Sequence, residues 1–410
     1  MIPVAGAPVK PRPLRAKFAP MLVIGLMSGT SADAVDAALV RWPAGPEARP
    51  FELLGWCEEA LPAALQQRVH RLAAGRCAPG EALRELAALD VELGERFAAA
   101  ALAVAAEAGV APEAVAGIGS HGQTVAHHPE LRATLQIGDP SLIAERTGIA
   151  TVADFRPRDV AAGGEGAPLA PFFHRAAFAH AEENRAVLNL GGIANLTWLP
   201  AGAGPEAVIA FDVGPANSLV DGVVQAASGG AERYDAGGAR AARGHVDRAL
   251  LAELLDDDFL RASPPKSTGR ERYGSAEAEA LLTRWAGRPL DDLVATLVAF
   301  TAESVARAGR DFLPGPVDRL LLGGGGARNT TLREALVSAG AAAAVEPMDA
   351  QGVPADAAEA MAFSLMARNA LLGLPNHLPR CTGSARACVL GEIAPGRAPG
   401  RWLPAPDLPR

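Results

Sequence analysis

Residues 23–40, Val-Ile-Gly-Leu-Met-Ser-Gly-Thr-Ser-Ala-Asp-Ala-Val-Asp-Ala-Ala-Leu-Val, place two apolar runs on either side of a short polar turn. Runs of this length closed by a Gly-containing turn read as a β-hairpin, with strands over 21–27 and 34–41. The turn gathers backbone N–H groups, hydroxyls and a carboxylate into one small volume. Gly29 lets the backbone come close to a ligand, and successive N–H groups of such a turn make an anion nest. Asp33 would repel a bare phosphate, so a metal is expected between the two. The segment therefore reads as a phosphate–Mg²⁺ loop, with an ordinary polar hairpin turn as the plainer alternative.

At 410 residues the chain is too long for one typical core, so two domains are expected. Its net charge of −8 leaves no basic excess to neutralise phosphates, which argues against nucleic acid as the main partner. Cys57, Cys77, Cys381 and Cys388 have no metal-ligand spacing, so free thiols in a reducing cytosol are expected. No run is long and apolar enough to span a bilayer, and Met1–Pro20 lacks the apolar core of a signal peptide. No membrane partner and a cytoplasmic location are expected.

Between Pro-rich stretches at 1–20 and 395–410, both expected to be disordered tails, apolar runs alternate with helical ones. Residues 81–108 read as a long amphipathic helix with Leu86, Leu93 and Phe97 on one face. Val115–Gly119 and Gly148–Ala153 read as strands, and 172–183, 291–309 and 355–373 as helices. Ala186–Leu190 and Ile193–Leu199 flank Gly191-Gly192 and echo the first hairpin. The mixture is α/β or α+β by pattern.

Several segments carry chemistry. Asp154 follows an apolar strand, where open α/β sheets place ligands, and it could act as a general base or simply pair with Arg156 or Arg158. Ser120-His121-Gly122-Gln123 offers donors suited to sugar hydroxyls, or an ordinary polar loop. Asp212 precedes a turn at Gly214 and reads as a second phosphate or metal contact, or as an Asp-initiated turn. Gly323–Gly326 could let a flat ring lie on bare backbone, or be a flexible loop; it matches neither a dinucleotide nor a Walker fingerprint. Lys266-Ser267-Thr268 lacks the glycines that a Walker loop requires. Asp356 and Glu359 are expected to share a face of one helix.

Nine stretches, in order over residues 22–394, resemble the 1,6-anhydro-N-acetylmuramic acid kinase family of bacteria. They are Gly25–Ser31, Ser120–Thr124, Gln136–Asp139, Asp154–Arg156, Gly163–Pro168, Leu188–Leu196, Pro264–Glu271, Gly324–Asn329 and Asp356–Ala360. The resemblance implies an α/β fold of two actin-like (ribonuclease H-like) domains, their mixed sheets flanked by helices around an interdomain ATP cleft. The domains are expected over 21–153 and 154–394, with the last helix free to pack back on the first. It implies an enzyme that uses ATP and Mg²⁺. Water opens the 1,6-anhydro bridge of an amino sugar at C1, and the freed O6 takes the γ-phosphate. The product, N-acetylmuramic acid 6-phosphate, belongs to peptidoglycan recycling. In that scheme Asp154 activates water and Glu359 assists. Gly29, Thr30, Ser31, Ala32, Asp33, Ala34, Val35 and Asp36 form the ATP phosphate loop, with Asp33 near the metal. Asp212 and Gly214 make a second phosphate contact, and Gly324, Gly325 and Gly326 the adenosine contact. Ser120, His121, Gln123 and Arg156 bind the sugar. A homodimer is expected. Where the family has Gly, this chain has Ala34 and Ala216, which would cost on the order of 1 kcal/mol each if their backbone φ were positive. Another sugar kinase acting on a free hydroxyl, or an ATP-binding switch without catalysis, are the alternatives.

Overall fold

The computed structural model describes residues 19–397. Most of the expected tail residues therefore lie outside the described part. Of the residues expected in the C-terminal tail, Arg397 is described, and its N donates to Gly148 O at 3.1 Å.

Among the described residues, thirteen strands form two large mixed sheets and one ribbon. β1 (Met21–Met27), β2 (Ala34–Trp42) and β3 (Glu52–Ala60) make an antiparallel meander, and β4 (Val115–Ser120) lies parallel to β1. β5 (Gln123–His128) and β6 (Ala133–Ile137) pair as a separate ribbon, and β7 (Thr151–Ala153) lies parallel to β4. The second meander is β8 (Arg185–Leu190), β9 (Ile193–Leu199) and β10 (Ile209–Pro215), followed by β11 (Arg319–Gly323) and β12 (Ala344–Pro347). β13 (Glu392–Ala394) closes the edge of the first sheet against β7. The first sheet runs β13-β7-β4-β1-β2-β3 and the second β10-β9-β8-β11-β12. Leaving β13 aside, each is an antiparallel three-strand meander whose first strand is extended by two parallel strands. The echo between the two glycine-marked hairpins is thus the visible end of a repeated topology.

Both faces of the first sheet are covered, which is why β1 and β2 read as nearly continuous apolar runs. Ile24 and Leu26 pack with Leu93 and Phe97 of the helix Ala82–Glu107. Val23 and Met27, pointing the other way, pack with Met361 and other residues of the helix Ala358–Leu371. That second helix lies unusually close, because the strands beneath it carry glycine. A Cβ at Gly119 would overlap the carbonyl of Phe363, and one at Gly117 would fall 2.5 Å from Leu371 Cδ1. Trp42 Nε1 donates to Ser364 Oγ at 2.9 Å, and that hydroxyl donates to Val23 O at 2.8 Å. The helix is therefore pinned to the sheet and carries Glu359 to the end of β1. The second half has its own core, in which the helices Asn217–Ala227 and Leu290–Phe312 cover the second sheet.

Several boundaries differ from the expectation. The helix expected over 172–183 is Ala170–Phe178, and the one expected over 355–373 begins at Ala358. Asp356 therefore precedes the helix and shares no face with Glu359. It pairs instead with Arg328. No described helix is long and apolar enough to cross a membrane.

Candidate active site

The first hairpin turn is held by partners distant in sequence. Ser28 Oγ donates to Ala34 O and to Gln123 Oε1, both at 2.8 Å, and Gln123 Nε2 donates to Gly29 O at 3.0 Å. From the other side Gln66 Nε2 donates to Ser31 O at 2.8 Å. Asp33 accepts from Ser31 Oγ at 2.6 Å and stays exposed. Asp36 lies just behind, near Glu58, Glu359, Asp33 and Asp356; burial and these four negative charges push its carboxyl up to about 7. Ala34 lies in β2 and Ala216 has φ of −112°, so neither departure from the family glycine carries left-handed strain. The residue of this turn with positive φ is Ala32, at 49°.

Between the two sheets lies a cavity of about 550 Å³, of the size that takes a small molecule. Glu359 and Arg156 line it from the side of the first sheet, and Asn195, Thr197, Asp212 and Lys266 from the second. Asp212 sits in β10 opposite Asn195 of β9, at a break in the ladder before Gly214. One carboxylate oxygen accepts from Asn195 Nδ2 and the other from Thr268 N at 2.9 Å. Burial raises its proton affinity; these two donors oppose the rise, and Glu271 adds to it. Two fixed donors leave each oxygen a further lone pair, so Asp212 is an oriented carboxylate able to take a proton. Glu359 faces the same volume, within reach of water. Burial raises its carboxyl as well, against the pull of Arg156.

Arg156 is held rigidly. Its Nη1 donates to Gly166 O at 2.7 Å, and its Nε and Nη2 lie 3.0 and 2.9 Å from His121 Nε2. His121 Nδ1 lies 2.8 Å from Gly122 O, so Nδ1 carries the proton and Nε2 accepts from the guanidinium. Burial and Arg156 hold the imidazole well below its ordinary range, and burial lowers Arg156 to about 10. On the second-sheet wall, His174 pairs with Thr197 Oγ1 at 2.9 Å, and burial pushes it down to about 4.

The expected site residues take different positions around the cavity. Ser120, His121 and Gln123 were expected to touch the sugar. All three are buried, His121 at 4 % exposure and Gln123 at 1 %, and none lines the cavity. His121 holds Arg156 and Gln123 holds the hairpin turn from beneath, while the buried Ser120 hydroxyl has no hydrogen-bond partner. Arg156 does face the cavity. Asp154 was expected to activate water, yet it does not line the cavity. It adopts φ of 53° at the start of the helix Phe155–Ala161, and burial, with Glu392 and Asp90, raises its carboxyl. Asp212 faces the cavity, together with Arg156, Glu165 and Glu359. The sequence alone assigned no site role to Asn195, within the stretch Leu188–Leu196, or to residues 266–268, rejected as a Walker loop. The signal for Asn195 was its register opposite Asp212 across the β9–β10 pair.

The glycine run after β11 is partly a packing device. A Cβ at Gly324 would fall 2.5 Å from Asn189 Oδ1, and one at Gly326 2.7 Å from Leu190 Cβ, whereas one at Gly325 meets nothing within 4 Å. Only Gly325 thus offers bare backbone to open space. Among the described residues no three His, Cys, Asp or Glu side chains converge as a metal cage. The carboxylates Asp33 and Asp36 suit an ion that brings its own phosphate and water ligands, as Mg²⁺ does with a nucleotide.

Comparison with known proteins shows the family. The profile of the family "Anhydro-N-acetylmuramic acid kinase" matches residues 21–396. A protein of that name from Gloeobacter violaceus is 46% identical over 380 residues, covering 92% of this chain and 99% of its own. One from Xanthomonas campestris pv. campestris (strain 8004) is 47% identical over 381 residues, covering 91% of this chain and 97% of its own. One from Caldanaerobacter subterraneus subsp. tengcongensis is 41% identical over 385 residues, covering 91% and 96%. The chain belongs to the anhydro-N-acetylmuramic acid kinase family.

Proposed function

We propose that this kinase opens the internal bridge of 1,6-anhydro-N-acetylmuramic acid with water and phosphorylates the freed O6 from ATP. The observation that carries the reading is Asp212: an oriented, cavity-facing carboxylate whose proton affinity is raised by burial. Asp212 takes a proton from water as the water oxygen bonds to C1 and the C1–O6 bond breaks. O6 then bonds to the γ-phosphorus and the bond to ADP breaks. The products are N-acetylmuramic acid 6-phosphate, ADP and the proton left on Asp212. Asp212 thus takes the role expected of Asp154, and Glu359 assists from the first-sheet side. Arg156, fixed by His121, orients the sugar.

ATP is assigned to the turn Gly29–Asp36, with Gly214 and Gly324–Gly326 bordering the nucleotide. Asp33 would hold Mg²⁺, with Asp36 behind it; the ion, when bound, neutralises phosphate charge. We read the two sheets as the cores of two actin-like domains, 21–153 and 154–394, with the helix Ala358–Leu371 packed back on the first. A cytoplasmic homodimer that recycles peptidoglycan sugar is the setting we infer.

The test is ADP release with anhydro-N-acetylmuramate beside glucose and N-acetylglucosamine. Turnover with the anhydro sugar alone is expected, and in ¹⁸O-water the label should appear at the anomeric oxygen and not in the phosphate. The product must be read quickly, because anomeric oxygen exchanges through ring opening. Turnover with the free hexoses instead would favour a free-hydroxyl kinase, and ATP binding without sugar-stimulated turnover a non-catalytic switch.

A further inference from the structure

The segment Pro264–Glu271, which matches no phosphate-loop pattern, brackets Asp212 from outside its own sheet. Asp212 N donates to Lys266 O at 3.1 Å, and Thr268 N donates to Asp212 Oδ2 at 2.9 Å. These contacts act like a short extra strand at the place where the β9–β10 register breaks. The sheet ladder alone does not fix the carboxylate there, so its aim depends on where residues 266–268 sit.

What anchors that segment is the Lys266 side chain. Its Nζ donates to Phe259 O at 3.0 Å and to Leu260 O at 3.3 Å, the carbonyls of the short helix Asp258–Arg261. The ammonium also lies 4.8 Å from the centre of the Phe259 ring and 4.5 Å from that of Phe312. Two carbonyls and two ring faces make a socket for a compact cation on a slim stem. Composition sharpens the point: of 38 Lys and Arg residues only Lys10, Lys17 and Lys266 are lysine. In a chain that otherwise uses arginine, the one lysine among the described residues occupies this socket.

We propose that Lys266 is a positioning residue: it locks residues 266–268 in place and so holds Asp212 at its aim into the cavity. This rests on the reading of Asp212 as the base. The Lys266 ammonium is already bonded to the Phe259 and Leu260 carbonyls, so it acts through the backbone it tethers.

The test is a double-mutant cycle of Lys266→Met and Asp212→Asn, read as single-turnover ADP formation, with thermal melting and KM for ATP measured for each protein. Lys266→Met should lower turnover about 10–100-fold, the scale of a misplaced catalytic group, with KM for ATP within about twofold of the wild type. In the Asp212→Asn background that loss should shrink to less than about threefold, because the group being positioned has gone. Lys266→Arg keeps the charge but puts a planar fork into the socket. It should lose about tenfold, again only when Asp212 is present, and it supplies the same reading should the Met variant not fold. Wild-type turnover in either Lys266 variant overturns the proposal. So does a loss that persists undiminished alongside a slow Asp212→Asn, which leaves the base reading standing. An Asp212→Asn enzyme as fast as the wild type removes that reading and the proposal together.

Discussion

Replacing Gly25 with alanine tests whether backbone contact between sheet and helix sets the active site. Gly25 lies in the middle of β1, bonded to β2 on one side and β4 on the other, so the strand cannot yield. A Cβ there would overlap the carbonyl oxygen of Ala360 and fall 2.5 Å from Ser364 N and 2.8 Å from Ala360 C. Carbon and carbonyl oxygen sit at about 3.3 Å or more, so the helix Ala358–Leu371 must move away by roughly 1 Å or more. Overpacking of this kind costs about 1–3 kcal/mol. Glu359, the neighbour of Ala360, moves with it, and an error of about 1 Å in a catalytic group costs about 10²-fold in rate. Gly25→Ala should therefore show both a lower urea midpoint and a kcat reduced by about two orders of magnitude. Gly29→Ala is the control for stability: a Cβ there meets only Ser31 Oγ at 3.7 Å, and its urea midpoint should stay unchanged. A Gly25→Ala protein within about 0.5 kcal/mol of wild-type stability and with unchanged kcat would mean that the helix takes up the methyl without moving Glu359, since 0.5 kcal/mol is the scatter of harmless surface changes.

Asp36→Asn should stabilise the protein increasingly from pH 4 to pH 8. The folded carboxyl, raised to about 7 from an ordinary 3.8, binds its proton more tightly than the unfolded one, so wild-type stability falls as pH rises through that window. Discounted for partial access to water, the gain at pH 8 is on the order of 1 kcal/mol. Urea melts that show the gain at pH 4 instead would contradict it. Ala34→Gly and Ala216→Gly should bring no gain in ATP affinity by calorimetry, because neither residue has positive φ; a clear improvement in either would show strain the backbone does not display. Sugar together with a non-hydrolysable ATP analogue should compact the protein, because both sheets line the cavity, and an unchanged radius of gyration in small-angle scattering would count against closure.

The hairpin 21–42 was legible because both faces of β1 and β2 are buried, which leaves an apolar signature independent of any partner. The second hairpin was legible for the same reason. β12 and β13 were missed: they are short edge strands, only partly buried apart from exposed Glu392, and without an apolar pattern. The polar motifs were visible as motifs, but their direction was not. Gln123 turns inward to meet Gly29 O, 94 residues away, and nothing local announces that partner. Asp154 and Asp212 both follow apolar runs before a turn or helix, so the local sequence treats them alike. What separates them is tertiary: Asp212 is drawn into the cavity by Asn195 and by the 266–268 segment. Asp356 and Glu359 looked like a helical pair only because the helix start was placed a few residues early.

Which carboxylate accepts the proton from water is measured most directly by kcat for Asp212→Asn beside Asp154→Asn, with anhydro-N-acetylmuramate and ATP. Asparagine keeps the size of the side chain and cannot take the proton. Asp212→Asn should lose about 10²–10⁴ in kcat, the range for a general base, with ATP affinity little changed. Asp154→Asn should stay within about tenfold of the wild type. A silent Asp212 substitution, or an Asp154 variant with the larger loss, would contradict the assignment.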